Sequence, residues 1–184
     1  MRDRLRVAST KPIITPPIGR AQARRRGNIA PFVAGLSPPY VSTGQRPNSV
    51  MKKERTTFLS GEDQCVGYVY QVEDSLTSGP AVVMAHGFGG TQEGSLARTA
   101  EDFARAGFVV LTFDYRNFGE SGGTPRQVIS IPMQHEDWHA AIAHARGLQG
   151  VDPTRVAIWG SSLSGGHVVE VAAQDRTLAA VIAQ

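Results

Sequence analysis

One octapeptide late in the chain carries the chemistry of a nucleophile: Trp159-Gly160-Ser161-Ser162-Leu163-Ser164-Gly165-Gly166. An apolar run, Arg155 to Trp159, precedes the serines, and a helix-spaced stretch, Leu163 to Gln174, follows them. A serine that attacks a carbonyl needs its hydroxyl exposed above a sheet, on a strained strand-to-helix turn. Small residues two before and two after it let strand and helix pass closely. Gly160 and Ser164 supply them around Ser162, which is the candidate catalytic residue. The helix that begins just past it also aims its first amides at any oxyanion developing there. Ser164 is flanked by small residues too, but lies too far into the helix after Trp159. Ser121, in Gly119-Glu120-Ser121-Gly122-Gly123, follows its strand by several loop residues and leads to no helix, so it reads as a turn residue.

A second pattern competes. His135-Glu136-Asp137-Trp138-His139 fits the His-Glu-x-x-His arrangement, which on a helix puts two imidazoles on one face with a glutamate as general base for zinc. No further histidine follows at the spacing of a third ligand, and Ile142 stands where the longer pattern has glycine. Trp138, Ile142 and Ala145 form the apolar stripe, so His135 and His139 are expected beside it, in solvent. A zinc hydrolase built on His135 and His139 is the alternative to a serine enzyme. The other candidates read as structural. His86 ends a strand, or shapes the loop after it. His144 and His167 lie on a surface or pack helices. Asp114 forms a turn and pairs with Arg116. Cys65 sits in a strand without chemistry.

The elements that must hold these residues alternate. Arg55 to Leu59 and Val66 to Val72 read as two strands joined by a turn at Gly61-Glu62-Asp63. Buried strands follow at Ala81 to Ala85, Phe108 to Phe113, Arg155 to Trp159 and Ala179 to Ala183, the third reached through a turn at Asp152-Pro153. Helices fall between them at Ser95 to Ala106, stopped by Gly107, at Met133 to Leu148, and at Leu163 to Gln174. This order specifies an α/β fold, a doubly wound and mostly parallel sheet with helices on both faces.

Composition narrows the function. The 184 residues fit one domain, and a hydrophobic content of 41% is ordinary for a globular protein. A single cysteine excludes an internal disulfide framework and suits a reducing compartment, hence a cytoplasmic location. No apolar run approaches the ~20 residues that span a bilayer, so no membrane association is expected. The overall basicity is misleading. Residues 1–49 hold nine Lys/Arg against one acid, Asp3, whereas residues 50–184 hold ten against fifteen. The Arg- and Pro-rich stretch 1–50 shows no helix or strand period and reads as a disordered leader. Without interleaved aromatics it does not point to nucleic acid. Pro12, Pro16 and Pro17 interrupt the amphipathic helix of a transit peptide, and no apolar core of a secretory signal follows the first charges. The abrupt change at Met51-Lys52-Lys53-Glu54 suggests translation starting at Met51, which leaves residues 51–184 as the domain.

Three blocks, each at the end of a buried strand, resemble the α/β-hydrolase superfamily, especially its serine-aminopeptidase-like and dienelactone-hydrolase-like branches. His86-Gly87-Phe88-Gly89-Gly90 resembles the His-Gly oxyanion loop. Asp114-Tyr115-Arg116-Asn117-Phe118-Gly119-Glu120-Ser121 resembles the Asp-x-Arg-x-x-Gly-x-Ser turn, and Gly160 to Gly166 the nucleophile elbow, with Ser164 in place of the usual glycine. The resemblance covers residues 55–184. It implies that Ser162 attacks a substrate carbonyl in a small-molecule ester or amide, or in a peptide. It also implies that the backbone N–H groups of Phe88 and Leu163 form the oxyanion hole. No metal or organic cofactor is implied, and no Gly-x-Gly-x-x-Gly follows a strand to suggest a dinucleotide.

In that superfamily the acid and the histidine come after the serine. Here only Glu170, Asp175 and His167 follow, all on or just past the elbow helix, and the last strand has no helix to cover it. The expectation is therefore a fragment holding about the first six strands, inactive alone because a serine without a base is a poor nucleophile. A non-catalytic binding or regulatory α/β protein is the remaining alternative. Neither the substrate nor the oligomeric state is specified by these residues.

Overall fold

A computed structural model describes residues 50–73 and 78–184; the leader expected over residues 1–50 falls almost entirely outside the described residues. The element order is β1 (Met51–Ser60), β2 (Asp63–Val72), β3 (Gly79–Ala85), α1 (Ser95–Arg105), β4 (Val109–Phe113), α2 (Ile131–Arg146), β5 (Val151–Gly160), α3 (Leu163–Gln174) and β6 (Ala180–Ala183). The six strands form one sheet in the order β1-β2-β4-β3-β5-β6. β1 and β2 form an antiparallel hairpin and β2 lies antiparallel to β4. The pairs β4–β3, β3–β5 and β5–β6 are parallel. The expected doubly wound α/β sheet is borne out.

Alternation along β3 explains why that strand is buried throughout. Ala81, Val83 and Ala85 join one core with Trp138, Ala141 and Ile142 of α2 and Val168 and Val171 of α3. Val82 and Met84 point the other way, into a core with Leu96, Ala100 and Phe103 of α1. Side chains of a strand alternate between faces, so a strand covered on both sides reads as an unbroken apolar run. Each such Val, Leu, Ile or Met adds about 1.5–3 kcal/mol of transfer free energy.

Helix α1 stops where Gly107 predicts. Gly107 has φ 96°, its N–H donates to Ala104 O (2.9 Å), and the Phe108 N–H donates to Phe103 O (3.2 Å). The rings of Phe103 and Phe108 sit 5.7 Å apart across this reversal. That is the Schellman closure with its apolar contact, and it delivers the chain straight into β4.

Four expectations need correction. The hairpin strands are longer than the apolar residues suggest, because register is carried by backbone pairing from Met51↔Val72 to Ser60↔Asp63. α2 begins at Ile131, two residues early, because Pro132 is tolerated in a first turn, where its missing N–H has no partner to lose. Asp152-Pro153 does not precede β5 but lies within it: the ladder jumps from Gly79↔Val151 to Ala81↔Val156, and the extra residues arch outward as Thr154 donates to Asp152 Oδ1. β6 is half-exposed rather than buried, since among the described strands it pairs only with β5. Among the described residues no helix is long and apolar enough to cross a membrane.

Candidate active site

Gly160 ends β5 and Leu163 opens α3, leaving two residues to reverse the chain. Ser162 takes φ 56° and ψ −121°, a left-handed backbone unusual for a residue with a side chain, and it is exposed. Such a conformation costs of order 1–3 kcal/mol and persists only where its surroundings over-determine it. They do so here. A Cβ on Gly160 would stand 2.1 Å from the Ser164 carbonyl oxygen, so only glycine lets strand and helix pass. The Ser162 N–H donates to Gln184 O (2.8 Å), the Gln184 N–H to Gly160 O (2.9 Å), and the Gly165 N–H to Ser162 O (2.9 Å).

The His86–Gly90 loop abuts this turn. A Cβ on Gly87 would lie 3.0 Å from Ser162 Cβ and 3.5 Å from its Oγ. Phe88, the next residue, is 75% exposed, its ring unpacked at the mouth of the site. The Leu163 N–H is the first of α3, and first-turn amides have no acceptor within their own helix. A cavity of about 460 Å³ lies between loop and turn, lined by Gly87, Phe88, Glu93, Trp159, Ser161 and Ser162 among others.

A buried relay that sequence reading missed joins the loop to the elbow. Trp138 Nε1–H donates to Tyr115 Oη (2.9 Å), Tyr115 Oη bonds Ser164 Oγ, and the Ser164 hydroxyl donates to the His86 carbonyl. Ser164 is thus a strut between the two halves of the site. Its departure from the usual glycine was the one available signal. Burial pushes the Tyr115 phenol well above its ordinary value, so it stays protonated and able to donate.

Asp114 also holds the loop. Its Oδ1 accepts the Gln92 N–H (2.7 Å), and its Oδ2 accepts Gln92 Nε2 (3.2 Å) and the Glu120 N–H (3.1 Å). The turn-forming role is correct, but the expected pairing with Arg116 is not. Arg116 Nε donates instead to the fully buried Asp137 Oδ1 (2.6 Å), and Nη2 reaches Glu136 and the Met133 carbonyl. Three residues past the end of β4, the guanidinium reaches α2 rather than the acid of its own turn. Ser121 is buried, donating to Asp114 O and accepting the Val66 N–H, so it ties the turn to β2.

Of the five histidines only His86 lines the Ser162 cavity, and the other four bond partners away from it. His86 is buried; Nδ1–H donates to its neighbour's carbonyl, Gly87 O (2.9 Å), Nε2 is an unpartnered buried atom 3.7 Å from Asp114 Oδ1, and desolvation holds its pKa below the usual value. His144 bonds Thr56 Oγ1 and stacks on Phe58, packing α2 against β1. His135 and His139 are half-buried, not standing free in solvent as expected. Turned toward α3, His135 Nε2 meets His167 Nδ1 (3.0 Å) and His139 Nε2 meets Gln174 Oε1 (2.9 Å), so the two point to different partners. His167 also bonds Gln134 (2.8 Å), and burial pushes its pKa down to about 4. Glu170 bonds Gln174, and Asp175 pairs with Arg146, both toward the end of α3 away from the turn. Cys65 is fully buried and its thiol is pushed up to about 12, leaving no thiolate at neutral pH.

Comparison with known proteins comes from three directions. A family profile described as "alpha/beta hydrolase fold" matches residues 80–183. The quorum-quenching protein AidA of Acinetobacter baumannii is 50% identical over 127 residues, covering 69% of this chain and 41% of that protein. The thiohydrolase aneE of Aspergillus aculeatus is 41% identical over 105 residues, 57% of this chain and 33% of its own length. Among solved structures, the alpha/beta hydrolase GrgF from Penicillium sp. sh18 superposes with a TM-score of 0.64 at 28% identity, covering 72% of this chain and 44% of that one. The chain therefore spans less than half the length of these relatives.

Proposed function

We propose, for a chain that belongs to the alpha/beta hydrolase family, that its 184 residues carry the nucleophile and oxyanion hole of a serine hydrolase. Ser162 is the nucleophile, and the N–H groups of Phe88 and Leu163 receive the oxyanion. The observation that carries this reading is the backbone of Ser162. A non-glycine residue held at φ 56°, exposed, and clamped by backbone hydrogen bonds through both its N–H and its carbonyl is strain maintained for a purpose.

The reaction is acyl transfer from an ester, amide or peptide to the Ser162 hydroxyl, breaking the carbonyl C–O or C–N bond and releasing the alcohol or amine, then to water, which releases the carboxylic acid and restores the serine. A relative named a thiohydrolase supports including thioesters. As Oγ bonds to the carbonyl carbon, negative charge moves to the carbonyl oxygen, where fixed amide donors stabilise it without reorganising. The Oγ proton needs a base. Four of the five histidines bond partners away from the site, and His86 spends its Nδ1–H on Gly87 O and holds Nε2 3.7 Å from Asp114, so base and acid are assigned to sequence outside these 184 residues, in keeping with the share of its relatives that the chain spans. The chain by itself is accordingly inactive.

The test compares p-nitrophenyl ester hydrolysis by a longer form that includes the downstream sequence with its Ser162→Ala variant. Loss of activity in the variant supports the reading. Equal, non-zero hydrolysis in both removes Ser162 from the mechanism.

A further inference from the structure

Between α2 and α3, two imidazoles converge. His135 Nε2 and His167 Nδ1 are 3.0 Å apart, with ring centroids at 4.9 Å and planes at 87°. His167 bonds Gln134 Oε1 through its other nitrogen at 2.8 Å. An amide oxygen only accepts, so that nitrogen, Nε2, carries the His167 proton and the lone pair lies on Nδ1, facing His135.

We propose that His135 Nε2 and His167 Nδ1 chelate a divalent late transition metal, copper(II) or nickel(II) ahead of zinc(II), which would staple α2 to α3. Metal–imidazole bonds run to about 2.0–2.1 Å, so nitrogens 3.0 Å apart subtend roughly 95° at the ion. That is close to the right angle between neighbouring ligands of a square-planar or octahedral site and narrower than the tetrahedral angle of zinc, while the ordinary order of affinities also ranks copper first. The outer partner is in place too. Ligating histidines characteristically donate their second N–H to a fixed acceptor, which orients the ring, and Gln134 does this for His167.

Access and coordination are consistent with a partly open site. His135 is half-buried, giving a path from solvent, while His167 is 3% exposed and held in place. No group of three His, Cys, Asp or Glu gathers among the described residues, so water completes the coordination. Without metal, His135 donates its Nε2–H across the gap. On binding, that proton moves to His135 Nδ1, both rings stay neutral, and the ion is held between the two nitrogens. His139, one turn on, stays with Gln174. The pairing therefore crosses helices, unlike the His135–His139 pairing suggested by sequence spacing. It is independent of any role for Ser162.

The test titrates the 184-residue chain, stripped with EDTA, with CuCl2, NiCl2 and ZnCl2 by calorimetry, with nitrogen hyperfine structure in the copper EPR spectrum as the signature of imidazole ligation. One equivalent of copper should bind, raise the melting temperature, and show coupling to two nitrogens. Affinity should fall by at least about 100-fold in His135→Ala and by roughly 10–100-fold in Gln134→Ala, where only the outer partner is lost. It should be unchanged in His139→Ala. Circular dichroism verifies that the variants are folded. Full affinity in folded His135→Ala, loss in His139→Ala, or zinc binding tighter than copper would each overturn the proposal.

Discussion

Gly87 and Ser162 touch across the site although 75 residues separate them: a Cβ on Gly87 would meet the Ser162 side chain at 3.0 Å, tighter than ordinary contact. The loop that presents the Phe88 amide is therefore seated directly on the proposed nucleophile. Gly87→Ala should push that loop away by a few tenths of an ångström. In a form of the protein that hydrolyses esters, kcat/KM should drop by about tenfold to a hundredfold with little change in melting temperature, because sub-ångström misplacement of oxyanion donors is costly. Unaltered kinetics would show that the loop does not position the reacting carbonyl.

Gly160→Ala attacks the other side of the turn. Its Cβ would overlap the Ser164 carbonyl oxygen at 2.1 Å and Val168 at 2.9 Å, and the first of these is backbone, which cannot swing aside. Destabilisation of about 3 kcal/mol or more is expected, at the upper end for overpacking. A urea midpoint within experimental error of the unmodified chain would refute the tight crossing.

Asp137 is fully buried and answers the Arg116 guanidinium and backbone N–H. Asp137→Ala leaves a buried cation short of its partner, which costs about 3–5 kcal/mol. Replacing Arg116 and Asp137 together by apolar residues of similar size should recover much of that loss. A double-mutant cycle in denaturant measures the difference.

Tyr115→Phe removes one hydroxyl from the middle of the relay and strands the Trp138 indole N–H and one bond of Ser164. An unsatisfied buried donor costs about 1–3 kcal/mol. The same variant should slow ester hydrolysis, since Ser164 steadies the loop through the His86 carbonyl. Full stability in thermal melts would mean that the relay is dispensable.

His86 sets a pH dependence. Its folded pKa lies below the usual 6.5 because burial disfavours the imidazolium. The unfolded chain thus binds a proton at His86 that the folded chain refuses. The resulting stability is complete above about pH 6.5 and is lost as pH falls below that value. Melting temperatures between pH 5 and 7.5 should fall on acidification, and the slope should flatten in His86→Gln. An identical slope in the variant would assign the effect to other groups.

Much of this protein was legible from local pattern. The unbroken apolar runs of β3, β4 and the second half of β5 announce strands buried on both faces, and the 3.6-residue spacing of Leu96, Ala100, Phe103 and Ala104 announces α1. Glycines at Gly107 and Gly160 mark the stop and the crossing, because each answers a constraint within a few residues of itself. The turn at Ser162 was legible for the same reason, since a strand, a small residue and a helix in immediate succession leave the chain one way to turn.

What remained hidden is set by contacts between residues far apart in sequence. Nothing near Arg116 reveals that its partner is Asp137 rather than Asp114, or near His135 that it faces His167 rather than solvent. Nor does any local spacing tie Trp138 and Tyr115 to Ser164. Periodicity reports which face of an element is apolar, because that depends on neighbours three or four residues away. Which polar atom meets which depends on how α2 and α3 are docked against the sheet, and that is decided only when the two cores close.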